Sequence, residues 1–495
     1  MTTRTATTDA PASSREFVKA MTLTDATMLV SGSMIGSGIF IVSADIGRTV
    51  GSPFWLLMAW IVAGVVTMLG ALSYGELAAM YPRAGGQYVF LRESLGHLTG
   101  FLYGWTLFVV IQTGTIAAVA VAFGRFLGVL WPAITPDRFG WFPQLNLTTP
   151  GGPIELGLSP QRLIALVTIW ILTWVNLRGV KEGKIVQTTL TVVKTGALAA
   201  LILLGLTIGR NPQALAANFS AGNFNSVAFS GAFMIAFGSA LVGSLFSSDA
   251  WNNVTFAAAE VREPQRNLPR ALIFGTGLVS LLYILANVSY LNVLPLHGVK
   301  EGASVLERGI QFATQDRVAS AVAETIFGAA GATIMAAAIL ISTFGCNNGL
   351  ILSGARVYYA MARDRLFFKR AGTLNRNSVP SFALVAQSIW TSFLCLTGTY
   401  GQLLDYVIFA ALIFYVLTTV GLFRLRKLRP DAERPYRALG YPVLPGLYII
   451  LAATIAVILL IADKTRAQAL SGLVIVLIGV PVYFLWRKVE STPAS

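Results

Sequence analysis

Twelve long apolar stretches, separated by short charged loops, constrain this 495-residue chain more than any other feature of its sequence. They run near 24–46, 54–79, 95–130, 160–177, 187–208, 231–258, 269–293, 319–358, 381–398, 403–423, 441–462 and 468–486. A helix rises about 1.5 Å per residue, so about 20 apolar residues cross a hydrocarbon core of about 30 Å. Lipid offers no partner to a free backbone N–H or C=O, so each stretch is expected to be helical. The short alternating pattern of barrel strands is absent. Only 12% of the residues are charged and 55% are hydrophobic, whereas a soluble domain carries about 25% charged residues. The expected fold is therefore an all-α polytopic membrane protein with twelve transmembrane helices. The long segments 95–130 and 319–358 are expected to tilt or to extend beyond the hydrocarbon.

A net charge of +14 invites a nucleic-acid reading, but the basic residues form no single patch. They follow membrane sidedness. With the N-terminus placed in the cytoplasm, 25 of the 36 Lys and Arg fall in inside segments and nine in outside ones, leaving Arg125 and Lys194 within spans. This predicts a cytoplasmic arm over 1–20, one transmembrane domain over 21–488 and a cytoplasmic tail over 489–495. No cleavable signal is expected, since residues 1–20 are largely polar and the first apolar run is too long. Cys346 and Cys395 lie in apolar segments, and His97 and His297 are isolated. Neither a disulfide framework nor a metal or other cofactor is expected. No G-x-x-x-x-G-K-[ST] loop is present, which argues against an ATP-driven pump. No nucleophile–base pair emerges, which argues against an enzyme.

Two spans are interrupted at matching places. The first reads SGSMIGSGIF from Ser31 to Phe40, and the sixth reads GSLFSSDAW from Gly243 to Trp251. The offset of five spans suits an inverted repeat, with one half over about 21–208, the other over about 231–425, and two added helices over about 441–486. Paired interruptions of this kind point to a binding site near the membrane midplane. Breaking a helix frees N–H groups at one half and C=O groups at the other. The N–H groups, with the helix dipole, attract a carboxylate, and the carbonyls accept from an ammonium. A zwitterionic amino acid presents both. Gly36 and Gly38 permit the unusual dihedrals and close approach this requires. The plainer reading is that Gly32 and Gly36 form a G-x-x-x-G packing pair. Asp249, a carboxylate in mid-membrane, makes packing alone a poor explanation for the sixth span.

These residues carry a resemblance. The sequence resembles the amino acid–polyamine–organocation superfamily and, within it, a bacterial form of the L-type amino acid transporter family. The signature GSGIF spans Gly36 to Phe40. ALSYGEL (Ala71 to Leu77) and PRAGGQY (Pro82 to Tyr88) resemble the family's second helix and the loop after it. EVREPQRNLP (Glu260 to Pro269) resembles the segment after the sixth helix. RPYR (Arg434 to Arg437) and GYP (Gly440 to Pro442) resemble the approach to the eleventh. The resemblance covers about residues 18–487. It implies a five-plus-five inverted repeat with helices 1 and 6 discontinuous, and sodium-independent amino acid transport by exchange or with protons. It implies that Ser37 and Gly38 donate N–H groups to the substrate carboxylate. The carbonyls of Met34, Phe246 and Asp249 accept from its ammonium, with Gly36 and Ser247 beside them. Phe246 gates the site and Trp251 lines the pocket. Residues 131–159 lack the cysteine that tethers many animal members to a glycoprotein, so no disulfide-linked heavy subunit is expected. The Glu pair common in the family is Ala259-Glu260 here, leaving one carboxylate fewer for an inner gate. The expected partners are an L-amino acid and the bilayer of a bacterial plasma membrane, with the chain a monomer or weak homodimer.

Lys194 lies inside the fifth span. It either snorkels to an interface or, as the resemblance implies, stands where sodium-coupled relatives hold an ion. In that position its ammonium would bridge the first span near Gly32 to the Ser342 and Thr343 hydroxyls of the eighth. Asp249 either pairs with a cationic substrate side chain or caps the broken helix. Gln112 and Thr113 are candidate pocket residues. Glu76 is read as structural, paired with an inner-face arginine, while Tyr103, Trp105 and Trp131 are read as packing residues or interface anchors. A polyamine or organic-cation carrier on the same fold, and a non-transporting nutrient sensor, remain as alternatives.

Overall fold

The computed structural model describes residues 16–491, except 142, 144, 150, 151, 221, 226, 398 and 399. Residues 1–15 of the expected arm and 492–495 of the expected tail lie outside the described residues. Among those described, nine helices are long and apolar enough to cross a membrane. They are Pro53–Met80, His97–Leu130, Pro160–Arg178, Gly183–Leu206, Pro264–Val293, Ala329–Arg363, Tyr406–Leu428, Val443–Ile461 and Arg466–Lys488. A tenth crossing is the bent pair Leu23–Ile41 and Ser43–Val50, angled at 54°. The two remaining predicted spans appear as apolar helices of 17 residues, Gly231–Ser247 and Ser381–Thr397. By length and composition nine or ten crossings are thus met among the described residues, and these two shorter helices stand at the other two predicted positions. The sixth falls short because its break cuts it.

Two further departures from the sequence reading have local causes. The eighth segment, expected to be continuous over 319–358, is split at Gly328, whose φ is +67. Helix Val318–Phe327 ends there and Ala329–Arg363 begins. The second helix folds back on the first. A Cβ on Gly331 would sit 2.0 Å from the Ala323 carbonyl oxygen. The loop 131–159 also carries an unpredicted antiparallel hairpin, with Leu145–Thr149 paired to Gly152–Leu156.

The first span starts at a capping box. The Thr22 hydroxyl accepts from the Asp25 N–H and the Asp25 carboxylate accepts from the Thr22 N–H, which satisfies two donors of the first turn. The strand-like residue before it is tied to the end of the sixth span. Met21 N–H donates to the Glu260 carbonyl at 2.9 Å and Arg262 N–H donates to the Met21 carbonyl at 2.8 Å. Behind this bridge the Arg356 Nε donates to the Glu260 carboxylate at 2.9 Å, with both side chains no more than 1% exposed. Arg356, which the charge count included among the 25 inside Lys and Arg, is therefore buried within the eighth span. The single carboxylate at this end of the sixth span suffices for an ion pair.

Glu76, fully buried near the end of the second span, gathers four donors. Arg426 reaches both of its oxygens, at 2.9 and 2.5 Å. Arg434 adds one bond at 3.2 Å and the Ala438 N–H another at 2.7 Å. The carboxylate thereby locks the second span to the tenth and to the segment leading into the eleventh. Removing one partner of such a pair leaves charge buried without compensation. Glu76→Ala is expected to destabilise the fold by about 3 kcal/mol, read as a lowered thermal unfolding midpoint of detergent-purified protein. Arg83→Ala, at an exposed position nearby, should leave the midpoint almost unchanged.

Candidate functional site at the paired helix breaks

The first span unwinds after Met34. Ile35 closes the helix by donating to the Ser31 carbonyl at 2.9 Å, and the Gly36 N–H turns back to the Met34 carbonyl at 2.8 Å. Helix resumes at Gly38. Gly38 and Ile39, as the first residues of that half, have no intrahelical acceptor for their N–H groups. Three glycines set how closely this segment is held. A Cβ on Gly32 would lie 2.2 Å from polar atoms of Gln187 and Thr191 in the fifth span. On Gly36 it would lie 3.0 Å from the Cys346 sulfur in the eighth, and on Gly38 2.1 Å from the Ser247 hydroxyl in the sixth. The Gly36-Ser37-Gly38 break is thus wedged between the eighth and sixth spans, and the two interrupted segments touch at Gly38 and Ser247.

In the sixth span the helix runs to Ser247 and the chain leaves it at Ser248. Phe246 and Ser247, read from sequence as part of the break, form the last helical turn instead. The Asp249 N–H donates to the Phe246 carbonyl at 3.1 Å. Ala250 then adopts φ +63, a left-handed conformation that costs a residue with a Cβ about 1 kcal/mol or more. Only a single turn, Asn253–Phe256, and a short 3₁₀ turn follow. The two breaks are unequal: the first separates two helices, while the second ends one.

Tyr283, in the seventh span, joins the two. Its hydroxyl lies 2.9 Å from the Met34 carbonyl and 3.1 Å from the Ser247 carbonyl, the acceptors for its single proton. Its ring packs edge-on against Trp60 at 5.3 Å. The sequence reading missed this residue, because a tyrosine inside an apolar run gives no hydropathy signal. Its signal is physical: a buried hydroxyl needs a partner, and the breaks supply unpaired carbonyls. The Met34 carbonyl already meets both Gly36 N–H and Tyr283 here, so an incoming ammonium shares or displaces a donor there.

Lys194 is 1% exposed and does not snorkel. Its ammonium donates to the carbonyls of Gly32 at 2.5 Å, Ile35 at 2.8 Å and Ser342 at 3.4 Å. The contact to the eighth span is thus a backbone carbonyl, where a hydroxyl was expected. The Ser342 hydroxyl instead donates to the carbonyls of Ile35 at 3.1 Å and Gly36 at 3.2 Å. The Thr343 hydroxyl bonds to its own helix, at Ile339 and Leu340, because Ser and Thr readily back-bond to a preceding turn.

Asp249, 7% exposed, accepts from the Tyr415 hydroxyl of the tenth span at 2.5 Å. Two small cavities share Asp249, Ala411 and Tyr415 in their walls. One is closed by Trp251, Thr67 and Tyr448, the other by Gln87, Tyr103 and Gln112. Trp251 packs on Tyr74 at 4.7 Å and on Tyr415 at 5.5 Å. Gln112 lines a cavity while donating to the Leu350 carbonyl at 2.7 Å, and Thr115, not Thr113, lies beside it. Tyr103, read as a packing residue or interface anchor, is buried in the cavity wall. Met34, Gly36, Ser37, Gly38, Phe246 and Ser247 are buried but line neither cavity. The site therefore has two parts, a backbone junction at the breaks and a polar-aromatic chamber around Asp249.

Among the described residues no cluster of His, Cys, Asp or Glu could hold a metal ion. What the arrangement offers is directional hydrogen bonding. It has backbone donors at the restart of the first span, backbone carbonyls beside them, one fixed ammonium and one carboxylate.

Comparison with known proteins places the whole chain. The sequence model of the amino acid permease family matches residues 21–484. A serine/threonine exchanger, SteT, of Bacillus subtilis is 30% identical over 468 residues, covering 93% of this chain and 95% of its own. The human large neutral amino acids transporter small subunit 2 is 31% identical over 476 residues, covering 94% and 80%. The human b(0,+)-type amino acid transporter 1 is 28% identical over 464 residues, covering 92% and 86%. With the family match running nearly end to end over a bundle of membrane-crossing helices, this multi-pass membrane protein belongs to the amino acid permease family of the amino acid–polyamine–organocation superfamily.

Proposed function

We propose that the chain is a secondary transporter of L-amino acids that works by alternating access without sodium, by exchange or with protons, and that it is not an enzyme. The observation that carries this reading is the contact of the two helix breaks at Gly38 and Ser247, with Lys194 fixed on the carbonyls behind them. In this reading the N–H groups of Ser37 and Gly38 take the substrate carboxylate. The carbonyls of Phe246 and Asp249, with Met34 shared with Tyr283, take its ammonium. Phe246 closes over the bound molecule and Trp251 bounds the space for its side chain. A charged lysine held by three carbonyls performs the neutralising work of a coupling cation. The relatives support the substrate class, being transporters or exchangers of amino acids by name.

The remaining assignments belong to the same proposal. The basic face and both termini lie in the cytoplasm of a bacterium and the chain sits in its plasma membrane. The chain is one transmembrane domain over 21–488, with repeats over about 21–208 and 231–425. It acts as a monomer or weak homodimer without a disulfide-linked subunit, since its two cysteines are both buried within helices.

Three measurements in proteoliposomes test this. Counterflow of labelled serine, threonine, alanine, leucine, lysine and arginine should proceed equally with and without sodium, and Lys194→Ala should abolish it. Sodium dependence, or full activity in that variant, would defeat the proposed role of Lys194. Gly38→Ala places a methyl 2.1 Å from the Ser247 hydroxyl and should lower the rate at least tenfold, with part of it restored in Gly38→Ala/Ser247→Gly. If Asp249 takes a cationic side chain, lysine should compete in the parent and lose about tenfold in affinity in Asp249→Asn, the loss of one charge-assisted hydrogen bond, with leucine little changed. Failure of lysine to compete in the parent removes that role. Competition by an amine lacking a carboxylate would favour the organic-cation alternative instead.

A further inference from the structure

On the face that carries few Lys and Arg, a cavity of about 200 Å³ opens beside helix Val318–Phe327, away from both helix breaks. Each water-sized group takes roughly 30 Å³, so the space suits a compact polyatomic group. Its wall includes Arg308, Arg317, Ser320 and Glu324. Arg308 and Arg317 are two of the nine Lys and Arg counted on the sparser face.

Four features converge on an anion. Ser320 is only 6% exposed, and its hydroxyl has no hydrogen-bond partner among the described residues. The Arg308 Nε is likewise buried and unpartnered; that side chain's other bond goes to the Gly302 carbonyl at 3.1 Å. Among the described residues Arg317 donates to the Thr314 carbonyl at 3.2 Å, and burial together with the nearby Arg125 charge pushes its guanidinium below the ordinary range against the opposing pull of Glu324. Finally, Ser320 stands in the first turn of a ten-residue helix with no side-chain cap, so its opening N–H groups and dipole also favour negative charge. Buried polar groups are ordinarily paired. With the Glu324 carboxylate of the same wall set against Arg317, the Ser320 hydroxyl and the Arg308 Nε are left as donors without an acceptor among the described residues, beside an uncapped helix start.

We propose that this cavity binds a phosphate oxyanion, with a phospholipid headgroup as its source. The surroundings argue for lipid. Val129, Val305, Ala313, Ala321 and Ala332 give the cavity apolar flanks, and Phe327 and Ile334 nearby are 48% and 68% exposed, as acyl-chain contacts require. The site also reaches the first span, whose break the proposed function uses. Asp316, one residue before Arg317, pairs with Arg48 at 2.7 Å, and Arg48 belongs to the outer half of the first span, Ser43–Val50. A headgroup that orders Arg317 and Ser320 steadies the segment to which that half-span is bound.

The test uses the full chain in a neutral detergent and reads the thermal unfolding midpoint while phosphatidylglycerol is titrated into the micelles. Diacylglycerol with the same chains and inorganic phosphate form parallel arms. Phosphatidylglycerol should raise the midpoint saturably and diacylglycerol should not. Arg308→Gln and Arg317→Gln should each shift the titration to about tenfold higher lipid, as expected for one lost charge-assisted bond. Ser320→Ala removes a hydroxyl with no partner among the described residues, so it should leave lipid-free stability intact while weakening the lipid response severalfold. Lys300→Gln, an exposed control on the same face, should change neither. Identical titrations in the parent and all three site variants overturn the site. A full response to inorganic phosphate alone retains the oxyanion and overturns the lipid source. An equal loss in Lys300→Gln reduces the effect to diffuse surface charge and overturns the proposal.

Discussion

A backbone carbonyl in lipid must find a donor, and the centre of this protein is organised by where those donors come from. Unwinding the first span after Met34 leaves carbonyls without helical partners. Lys194 supplies Gly32 and Ile35, Ser342 supplies Ile35 and Gly36, and Tyr283 supplies Met34. The fifth, seventh and eighth spans are thus drawn to one point by the same need. An unsatisfied group there would cost several kcal/mol by itself, which outweighs the strain of the irregular turn. The break persists because its polar groups are bonded, with that bonding shared among the fifth, seventh and eighth spans rather than saturated by helix.

The contrast between the two breaks follows from the same accounting of donors. In the sixth span the freed carbonyls are fewer, because Ser248 and Asp249 fold back onto Ser244, Leu245 and Phe246. The cost there is taken as a left-handed Ala250. Asp249, placed just before that residue, projects toward the tenth span and finds Tyr415. The carboxylate that drew attention to this segment therefore belongs to a chamber between spans, next to the backbone junction but distinct from it.

Much of this was legible from residue order. Gly36 and Gly38 marked the first break only when set beside the matching interruption of the sixth span, since Gly32 and Gly36 alone also suit helix packing, and Asp249 marked the second because a lone carboxylate there is costly. Lys194 could be aimed at Gly32 by the family resemblance, but whether it meets the carbonyl or the hydroxyl of Ser342 depends on side-chain rotamers, which residue spacing does not resolve. Tyr283 and Tyr415 were invisible because hydropathy treats a buried tyrosine much like its apolar neighbours, and its hydroxyl partners lie far away in the chain. Arg356 was counted with the inside charges for a related reason: counting charges near a span's end ignores a partner such as Glu260, 96 positions earlier. The turn at Gly328 was missed because an apolar stretch of helical length reads as one helix whether or not it doubles back.

The backbone bridge between Met21 and the Glu260–Arg262 segment carries a consequence for movement. Its two hydrogen bonds, 2.9 and 2.8 Å long, point in opposite senses along the chain. Neither segment can slip lengthwise past the other without losing both. They can, however, rotate about the line joining them with little loss. If the first and sixth spans part during a transport cycle, this bridge is the spine about which they would open, like the covers of a book.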